Sequence, residues 1–334
     1  MHSAFARTHV ALNATVVQHM PVLSRMNVHD GGFTKRSFNG RGTGVYIRAI
    51  PIMRLTAMRG NAGKVSTRVR LPAVAGLFYP DDPAELRDSV SAYLAQAPTV
   101  AGPAPKALIV PHAGYVYSGV IAAAAYAQVA HQRRQIRRIV LIGPSHRVYL
   151  RGMAVPASGV FQTPLGMVPI DGELKQRALT HEQVVESDTP HASEHSLEVQ
   201  LPFLQTLFDD FTLLPIALGS ASPPAVAAVL ADVWGGAETL VLVSSDLSHY
   251  LPYEEAREVD AETIAAILRS EPSLTGEQAC GCIGINGLSF LARQRDARIA
   301  EIARCNSGDT AGDRSRVVGY GAFALHEPGT GTTF

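Results

Sequence analysis

The sequence predicts an α/β domain whose mixed, largely parallel β-sheet is flanked by helices. From Leu71 onward, short apolar runs rich in β-branched residues alternate with segments of helical length, which is the pattern of strand–helix–strand units. Hydrophobic residues make up 46% of the 334 residues, enough for a large buried core. No internal repeat or linker divides residues 71–327, so we expect them to form one domain.

The elements up to residue 170 are predicted from capping residues and apolar runs. Asp82 is the expected N-cap of a helix over residues 84–97, with Pro83 in the first helical position. Ser118 is expected to cap an alanine-rich helix that ends near Ala130. The other elements of this half are buried strands over residues 107–110 and 139–142, and a hairpin over residues 161–170, which Pro164 and Gly166 interrupt.

The second half continues the same alternation. Residues 194–208 predict a helix that Pro202 should kink or restart, and residues 213–218 predict a strand that Pro215 demotes toward an edge or a bulge. The remaining predicted elements are helices over residues 223–233, 253–269 and 284–294, and strands over residues 240–243, 298–303 and 317–324.

Both ends of the chain fall outside this pattern. Residues 1–70 lack a sustained helical or strand period, and we expect them to form a largely disordered basic extension. Three explanations stay open for them: a start codon assigned upstream of the true start at Met53 or Met58, a natural disordered tail, or a transit peptide. Residues 328–334 are expected to be a flexible C-terminal tail.

Charge and cysteine content limit the classes of function. Of 29 basic and 29 acidic side chains, eleven basic ones and one acid lie in residues 1–70, which leaves the remainder with 18 basic and 28 acidic ones, a net charge of −10. An acidic domain disfavours nucleic-acid binding, and no apolar stretch reaches the roughly 20 residues that a membrane span needs. The three cysteines are odd in number and have no repeating spacing, so they do not indicate a disulfide-bonded framework. We therefore expect a cytoplasmic protein with reduced cysteines.

Three predicted strands run directly into histidine-containing turns. His112 follows the strand over residues 107–110, His146 follows residues 139–142, and His249 follows residues 240–243. Ligands of open α/β sheets bind beyond the carboxyl ends of the strands, so a parallel arrangement brings these histidines to one rim. Neutral imidazoles suit iron, copper, zinc or nickel, and the sequence therefore predicts a metal site there.

A metal held by histidines needs further ligands. Cys280 is a candidate thiolate ligand and Cys282 is its rival, although a cysteine in a packed turn is equally a small buried hydrophobe. Asp246 lies three residues before His249 and is a further candidate.

The segment Glu194-His195-Ser196-Leu197-Glu198 adds two carboxylates one helical turn apart, on one face of the predicted helix. Two interpretations stay open. The carboxylates are either a solvated helix start at the positive end of the dipole, or they orient imidazole rings from behind, with Glu194 and His195 as the candidates for that role.

Taken together, the short motifs of this domain resemble the Memo family. Their order along the chain matches the family over nearly all of residues 71–327. The matching segments are Pro72-Ala73-Val74-Ala75-Gly76-Leu77-Phe78-Tyr79-Pro80, Pro111-His112-Ala113-Gly114-Tyr115, Gly143-Pro144-Ser145-His146, Glu194-His195-Ser196-Leu197-Glu198, Ser245-Asp246-Leu247-Ser248-His249-Tyr250, Cys280-Gly281, Asn306-Ser307-Gly308-Asp309 and Val318-Gly319-Tyr320.

The resemblance implies a fold like that of the class III extradiol dioxygenases, which use non-haem Fe(II). It implies that His112, His146 and Cys280 are the metal ligands and that Asp246 and His249 line the same pocket. It also implies partners, since bacterial and archaeal Memo-like proteins are associated, as protein B of the AmmeMemoRadiSam system, with an AMMECR-type protein and a radical SAM enzyme.

One departure limits what the resemblance implies about activity. Cys280 stands where the dioxygenases have a carboxylate, and a thiolate favours copper or zinc over Fe(II). The first hypothesis is a redox protein that binds Fe(II), and a dioxygenase-like oxidoreductase if it is an enzyme. In this hypothesis His249 acts as general acid or base, and Asp246 orients an imidazole ring or a bound water. The alternative is a non-catalytic module that binds a small molecule or peptide. A zinc hydrolase is a third option.

Overall fold

The computed structural model describes residues 66–98 and 103–329, and the main body of the domain is a nine-stranded mixed sheet. The predicted basic extension falls mostly on residues 1–65, and residues 330–334 belong to the predicted tail; both lie outside the described residues. A first strand, β1, covers Val69–Arg70, so regular structure begins before the predicted domain boundary at Leu71.

The twelve strands of the described residues form two sheets. The large sheet has the order β10-β12-β2-β9-β3-β8-β4-β7, with β11 on the other side of β12, and the small sheet has the order β1-β5-β6. The bounds are β2 Ala107–Val110, β3 Arg138–Pro144, β4 Met153–Val155, β5 Val160–Thr163, β6 Gly166–Pro169, β7 Val184–Glu186, β8 Thr212–Leu218, β9 Thr239–Ser244, β10 His249–Leu251, β11 Arg298–Asn306 and β12 Val317–His326.

The four central strands, β2, β9, β3 and β8, are mutually parallel, while β12, β11 and β10 are antiparallel additions at one side. The prediction of a mixed, largely parallel sheet is confirmed. Pro215 pairs with Leu141 of β3, but β4 meets β8 only at Ala217 and Leu218, so the missing N–H of the proline faces a gap in the ladder.

Eight helices cover the sheet within the described residues. Their bounds are α1 Pro83–Gln96, α2 Tyr115–Ala127, α3 Gly172–Ala178, α4 Thr189–Ala192, α5 Leu201–Leu207, α6 Pro223–Asp232, α7 Tyr253–Leu268 and α8 Cys282–Gln294. None of the helices in this part of the chain is both long enough and apolar enough to cross a membrane.

The strands divide the core into two apolar layers because successive side chains point to opposite faces. Val140 and Ile142 pack with α3, α6, α7 and α8, whereas Ile139 and Leu141 pack with α1, α2, α5 and the small sheet. Both faces of the central strands are therefore buried, as expected for parallel strands.

One of three predicted helix starts is confirmed, and the other two differ from the structure. Asp82 does cap α1, and its carboxylate accepts from the N–H groups of Ala84 and Glu85. Ser118 does not cap α2: the helix already begins at Tyr115, and the Ser118 hydroxyl donates to Ala113 O at 3.0 Å. The predicted helix over residues 194–208 is also too long, because its regular part is a 3-10 turn at Glu198–Gln200 followed by α5.

Candidate metal centre

The rim at the carboxyl ends of the central strands carries the candidate site. Strands β2, β9 and β3 are neighbours and parallel, so the turns that follow them lie side by side. His112 follows β2 by two residues and His146 follows β3 by two. The chain after β9 passes through Asp246 to His249, which begins β10. The arrangement follows directly from the parallel register.

His112 is the most deeply buried of these histidines, with 1% of its surface exposed. Its backbone N–H donates to Asp246 Oδ1 at 2.7 Å, and its ring Nδ1 lies 2.9 Å from Ser244 Oγ. Its other ring nitrogen, Nε2, lies 3.2 Å from Cys280 Sγ. Burial, reinforced by His195 and His146, holds the pKa of His112 well below its ordinary value, so the ring is neutral.

His146 is held by a buried carboxylate. Its ring Nδ1 lies 2.9 Å from Glu194 Oε1, and its backbone N–H donates to Glu194 Oε2 at 2.6 Å. Glu194 Oε1 also accepts from the N–H groups of His195 and Ser196. Burial would raise the pKa of Glu194, but the hydrogen bonds from His146 and the backbone outweigh it and bring the pKa down to about 2. Glu194 is therefore ionised and fixes the His146 ring.

His195 completes a group of three imidazoles. Its ring stacks on His146 with centroids 4.7 Å apart, stands edge-on to His112 at 5.4 Å and packs against Phe78 at 4.7 Å. His195 Nδ1 lies 3.2 Å from Glu194 Oε1 but outside hydrogen-bond geometry, and it has no hydrogen-bond partner among the described residues. Burial lowers the pKa of His195 to about 4, so this ring is neutral as well.

These three histidines could hold a metal ion. One nitrogen of each of His112, His146 and His195 lies within 4.8 Å of the others, a spacing that lets them share one ion. Neutral imidazole nitrogens are suitable ligands, and a buried ring nitrogen without a partner is the kind of atom that a cation satisfies. The sequence suggested His195 as a group that orients other rings; the structure instead groups it with His112 and His146 as a possible ligand.

Cys280 lies beside this group without belonging to it. Its sulfur contacts His112 Nε2 and accepts from the Asp246 N–H at 3.3 Å. Burial, reinforced by Asp246, raises the pKa of the Cys280 thiol far above its ordinary value. Burial also raises the pKa of Asp246, to about 7. Cys282, the rival ligand, is the first residue of α8 and packs against the apolar core.

His249 lies close enough to interact electrostatically with His112 and His146 but is outside the three-histidine group. Burial and then His146 lower its pKa. Tyr250, the next residue, has a φ of 61°, in the left-handed region. It is 63% exposed, and the guanidinium of Arg316 lies over its ring.

The two glutamates of residues 194–198 have different partners, and neither is solvated. Glu194 is 1% and Glu198 0% exposed, so the interpretation as a solvated helix start is wrong. Glu198 forms a buried ion pair with Arg70. Neither this pair nor the contact between Ser244 and His112 could be predicted from local patterns, because both join residues that are more than 100 positions apart.

The fold and the site define a class: an α/β protein with a histidine-rich candidate metal centre at the carboxyl-terminal rim of its parallel strands. A family model described as Memo-like protein matches residues 70–324. The chain therefore belongs to the Memo-like family, and the resemblance of its motifs is confirmed.

Relatives support this assignment over nearly their whole length. The chain is similar to MEMO1 family proteins of Aquifex aeolicus and Ignicoccus hospitalis, with 36% identity over 268 residues and 37% over 284. These alignments cover 76% and 78% of this chain and 97% and 99% of the relatives. An uncharacterized protein of Escherichia coli K12 has a solved structure that is similar at 13% identity and a TM-score of 0.45, over 66% of this chain and 98% of that one.

Proposed function

We propose that this Memo-like protein binds a metal ion through His112, His146 and His195 and works as a metal-dependent redox protein. The observation that carries the proposal is the convergence of three imidazoles at the rim of the sheet, with one nitrogen of each within 4.8 Å of the others. Fe(II) is the metal that the family resemblance implies, and copper and zinc are the alternatives that the neighbouring thiol favours.

Cys280 is the further donor in this proposal. Its sulfur already contacts His112, and the family resemblance implies a ligand at this position. Burial and Asp246 oppose ionisation of the thiol, so a thiolate here requires a cation to offset them. Metal binding should therefore release a proton from Cys280.

Three further residues, His249, Asp246 and Phe78, would support the chemistry beside the bound ion. A bound metal would supply a redox centre with open coordination positions. His249 would hold or move a proton, since its imidazole is neutral at physiological pH and lies near the group. Asp246 accepts from the His112 backbone and so fixes that ligand, while Phe78 packs against His195 and excludes water from it.

Metal content tests the site. Iron, copper and zinc are quantified together in anaerobically purified wild type, His112→Ala and His146→Ala. The matched control is His181→Ala, because His181 pairs with Asp232 outside the cluster. We expect bound metal in the wild type and the control and a loss in the two site variants. Equal metal content in all four proteins would reject the site.

Two further variants separate the candidate ligand sets. We expect His195→Ala to lose most of its metal, whereas Cys280→Ala keeps its metal with a shifted preference among iron, copper and zinc. The reverse result, with metal retained by His195→Ala and lost by Cys280→Ala, would show that the third ligand is the sulfur rather than His195.

The proposed partners are an AMMECR-type protein and a radical SAM enzyme, and membership of the Memo-like family is their only support. With these partners, the proposed location of the protein is the cytoplasm. The alternative function, a module that binds a small molecule or peptide, is favoured by the exposed apolar side chains of Leu77 and Val116, 80% and 63% exposed, on segments that adjoin Phe78. A pull-down with the two partners separates the functions: a complex that forms equally well with metal-free His112→Ala would favour the binding module.

A further inference from the structure

The ring of His112 is held from behind by a neutral hydroxyl group. Ser244, the last residue of β9, places its Oγ 2.9 Å from His112 Nδ1. Both side chains are almost completely buried, with 1% and 0% of their surfaces exposed. His146, by contrast, is oriented by the carboxylate of Glu194.

The hydrogen bonds of Ser244 determine which atom donates to which. A serine hydroxyl has one proton and two lone pairs. The Ser244 proton is donated to Ser196 O at 2.6 Å, and one lone pair accepts from Gln200 Nε2 at 2.8 Å. Only a lone pair is left for His112, so His112 Nδ1 must be the donor in that contact.

The orientation of the Gln200 amide is fixed as well. Its Nε2 also donates to Pro111 O at 3.0 Å, and its Oε1 accepts from the Tyr126 hydroxyl at 2.7 Å. Flipping the amide would place an oxygen against the Pro111 carbonyl, which offers no proton. Gln200 therefore presents its Nε2 donor to Ser244 Oγ and cannot present its amide oxygen there instead.

Because Nδ1 carries the donated proton, Nε2 is the ring nitrogen of His112 that can offer a lone pair to a metal. Nε2 is also the nitrogen that lies 3.2 Å from Cys280 Sγ. A protonated Cys280 thiol can donate to that lone pair, which makes the arrangement consistent on both sides of the ring.

We propose that Ser244, held by Gln200, is a positioning residue that fixes His112 as the Nδ1–H tautomer and directs its Nε2 lone pair into the metal site. The tautomer is a property of the metal-free protein; its purpose rests on the proposed metal binding. A neutral acceptor suits this position, because Ser244 is fully buried and a carboxylate here would place a charge away from water.

The tautomer is tested on the metal-free wild type. Histidine labelled with ¹⁵N distinguishes a protonated ring nitrogen from one with a lone pair in two-bond ¹H–¹⁵N correlation spectra, and His112→Gln identifies the His112 signals. We expect Nδ1 to carry the proton and Nε2 the lone pair. A proton on Nε2, or an equal mixture of both forms, would overturn the inference.

A variant pair then tests the role of the hydroxyl. Ser244→Ala should give a mixture of His112 tautomers and bind metal about 10–100-fold more weakly, the usual loss when a group behind a metal ligand is removed. The matched control is Ser289→Ala, since Ser289 is equally buried, lies in α8 and has an Oγ without a hydrogen-bond partner in the described chain. We expect Ser289→Ala to change neither the His112 tautomer nor the affinity for metal.

The outcomes separate the two proposals. If the wild type has the Nδ1–H tautomer but binds no iron, copper or zinc, the inference about Ser244 stands and the proposed function fails. If the wild type binds metal and Ser244→Ala has the same tautomer and the same affinity, the proposed function stands and the inference fails. If Ser244→Ala does not fold, the wild-type spectrum alone decides.

Discussion

Replacing Arg70 with methionine should be among the most destabilising single changes near the candidate site. The guanidinium is buried, forms an ion pair with Glu198, and donates to the carbonyl oxygens of His191 at 3.0 Å and Glu194 at 2.6 Å. It therefore ties β1 to the segment that carries His195.

The expected loss follows from what the substitution leaves behind. Breaking a buried ion pair by removing one partner costs about 3–5 kcal/mol, because the other charge stays buried. Two carbonyl oxygens lose a charged donor at the same time, so we expect about 4 kcal/mol, with the melting temperature about 8–16 °C lower. Glu198 keeps its hydrogen bonds from the N–H groups of Ala73 and Val74, which limits the loss.

Urea denaturation followed by circular dichroism measures the change, in a cycle with Glu198→Gln. The amide removes the charge but keeps one acceptor oxygen, so Arg70→Met should cost about 2–3 kcal/mol less in that background than in the wild type. Arg257→Met is the control, because Arg257 and Glu254 form an exposed pair worth under about 1 kcal/mol. A loss no larger than the control's, or two changes that add within about 0.5 kcal/mol, would refute the reasoning.

Three further predictions concern pH, packing and capping. Burial lowers the pKa of His191 from 6.5 to about 4, so between pH 6.5 and pH 4 the unfolded chain binds a proton at this histidine and the folded chain does not. The free energy of unfolding should therefore fall by about 2 kcal/mol from pH 7 to pH 5. His191→Gln should remove that part of the pH dependence in urea titrations. Gly281→Ala would place its Cβ 2.6 Å from the Ser244 carbonyl oxygen and should cost about 1–3 kcal/mol in thermal denaturation, whereas Gly276→Ala, with nothing within 4 Å, should not destabilise. Asp82→Ala removes the cap of α1 and should cost about 1 kcal/mol in the same assay; an unchanged melting temperature would contradict the capping role.

Local signals predicted the elements whose ends are fixed by the chain itself. Asp82 and Pro83 marked the start of α1 because capping needs only neighbouring residues. The histidine-bearing turns were predicted to converge because parallel strands share an edge, and His112 and His146 do meet there. Short strands such as β4 were missed, since three residues are too few to show a period.

The errors arise where distant contacts override local preference. Ser118 looks like a cap, but α2 begins earlier, where the Tyr115 N–H donates to Phe78 O and its side chain enters the core. Glu194 looks like the first turn of a helix, yet its carboxylate accepts from the next two backbone N–H groups and from His146, which holds the chain outside helical geometry. Contacts across the fold bring His195 next to His112 and His146, and no local pattern reports those contacts.

The position of β12 in the sheet has a consequence for synthesis. It pairs with β2, whose partner residues, such as Ile109 and Phe323, are about 200 positions apart in sequence. At a translation rate of about 5–20 residues per second, the edge of β2 that pairs with β12 stays unpaired for on the order of 10–40 s after β2 has been synthesised. An apolar strand with an uncovered edge is a site for aggregation, so the nascent chain is most vulnerable during this interval. Because β10, which carries His249, also pairs with β12, the rim is complete only after β12 has been synthesised.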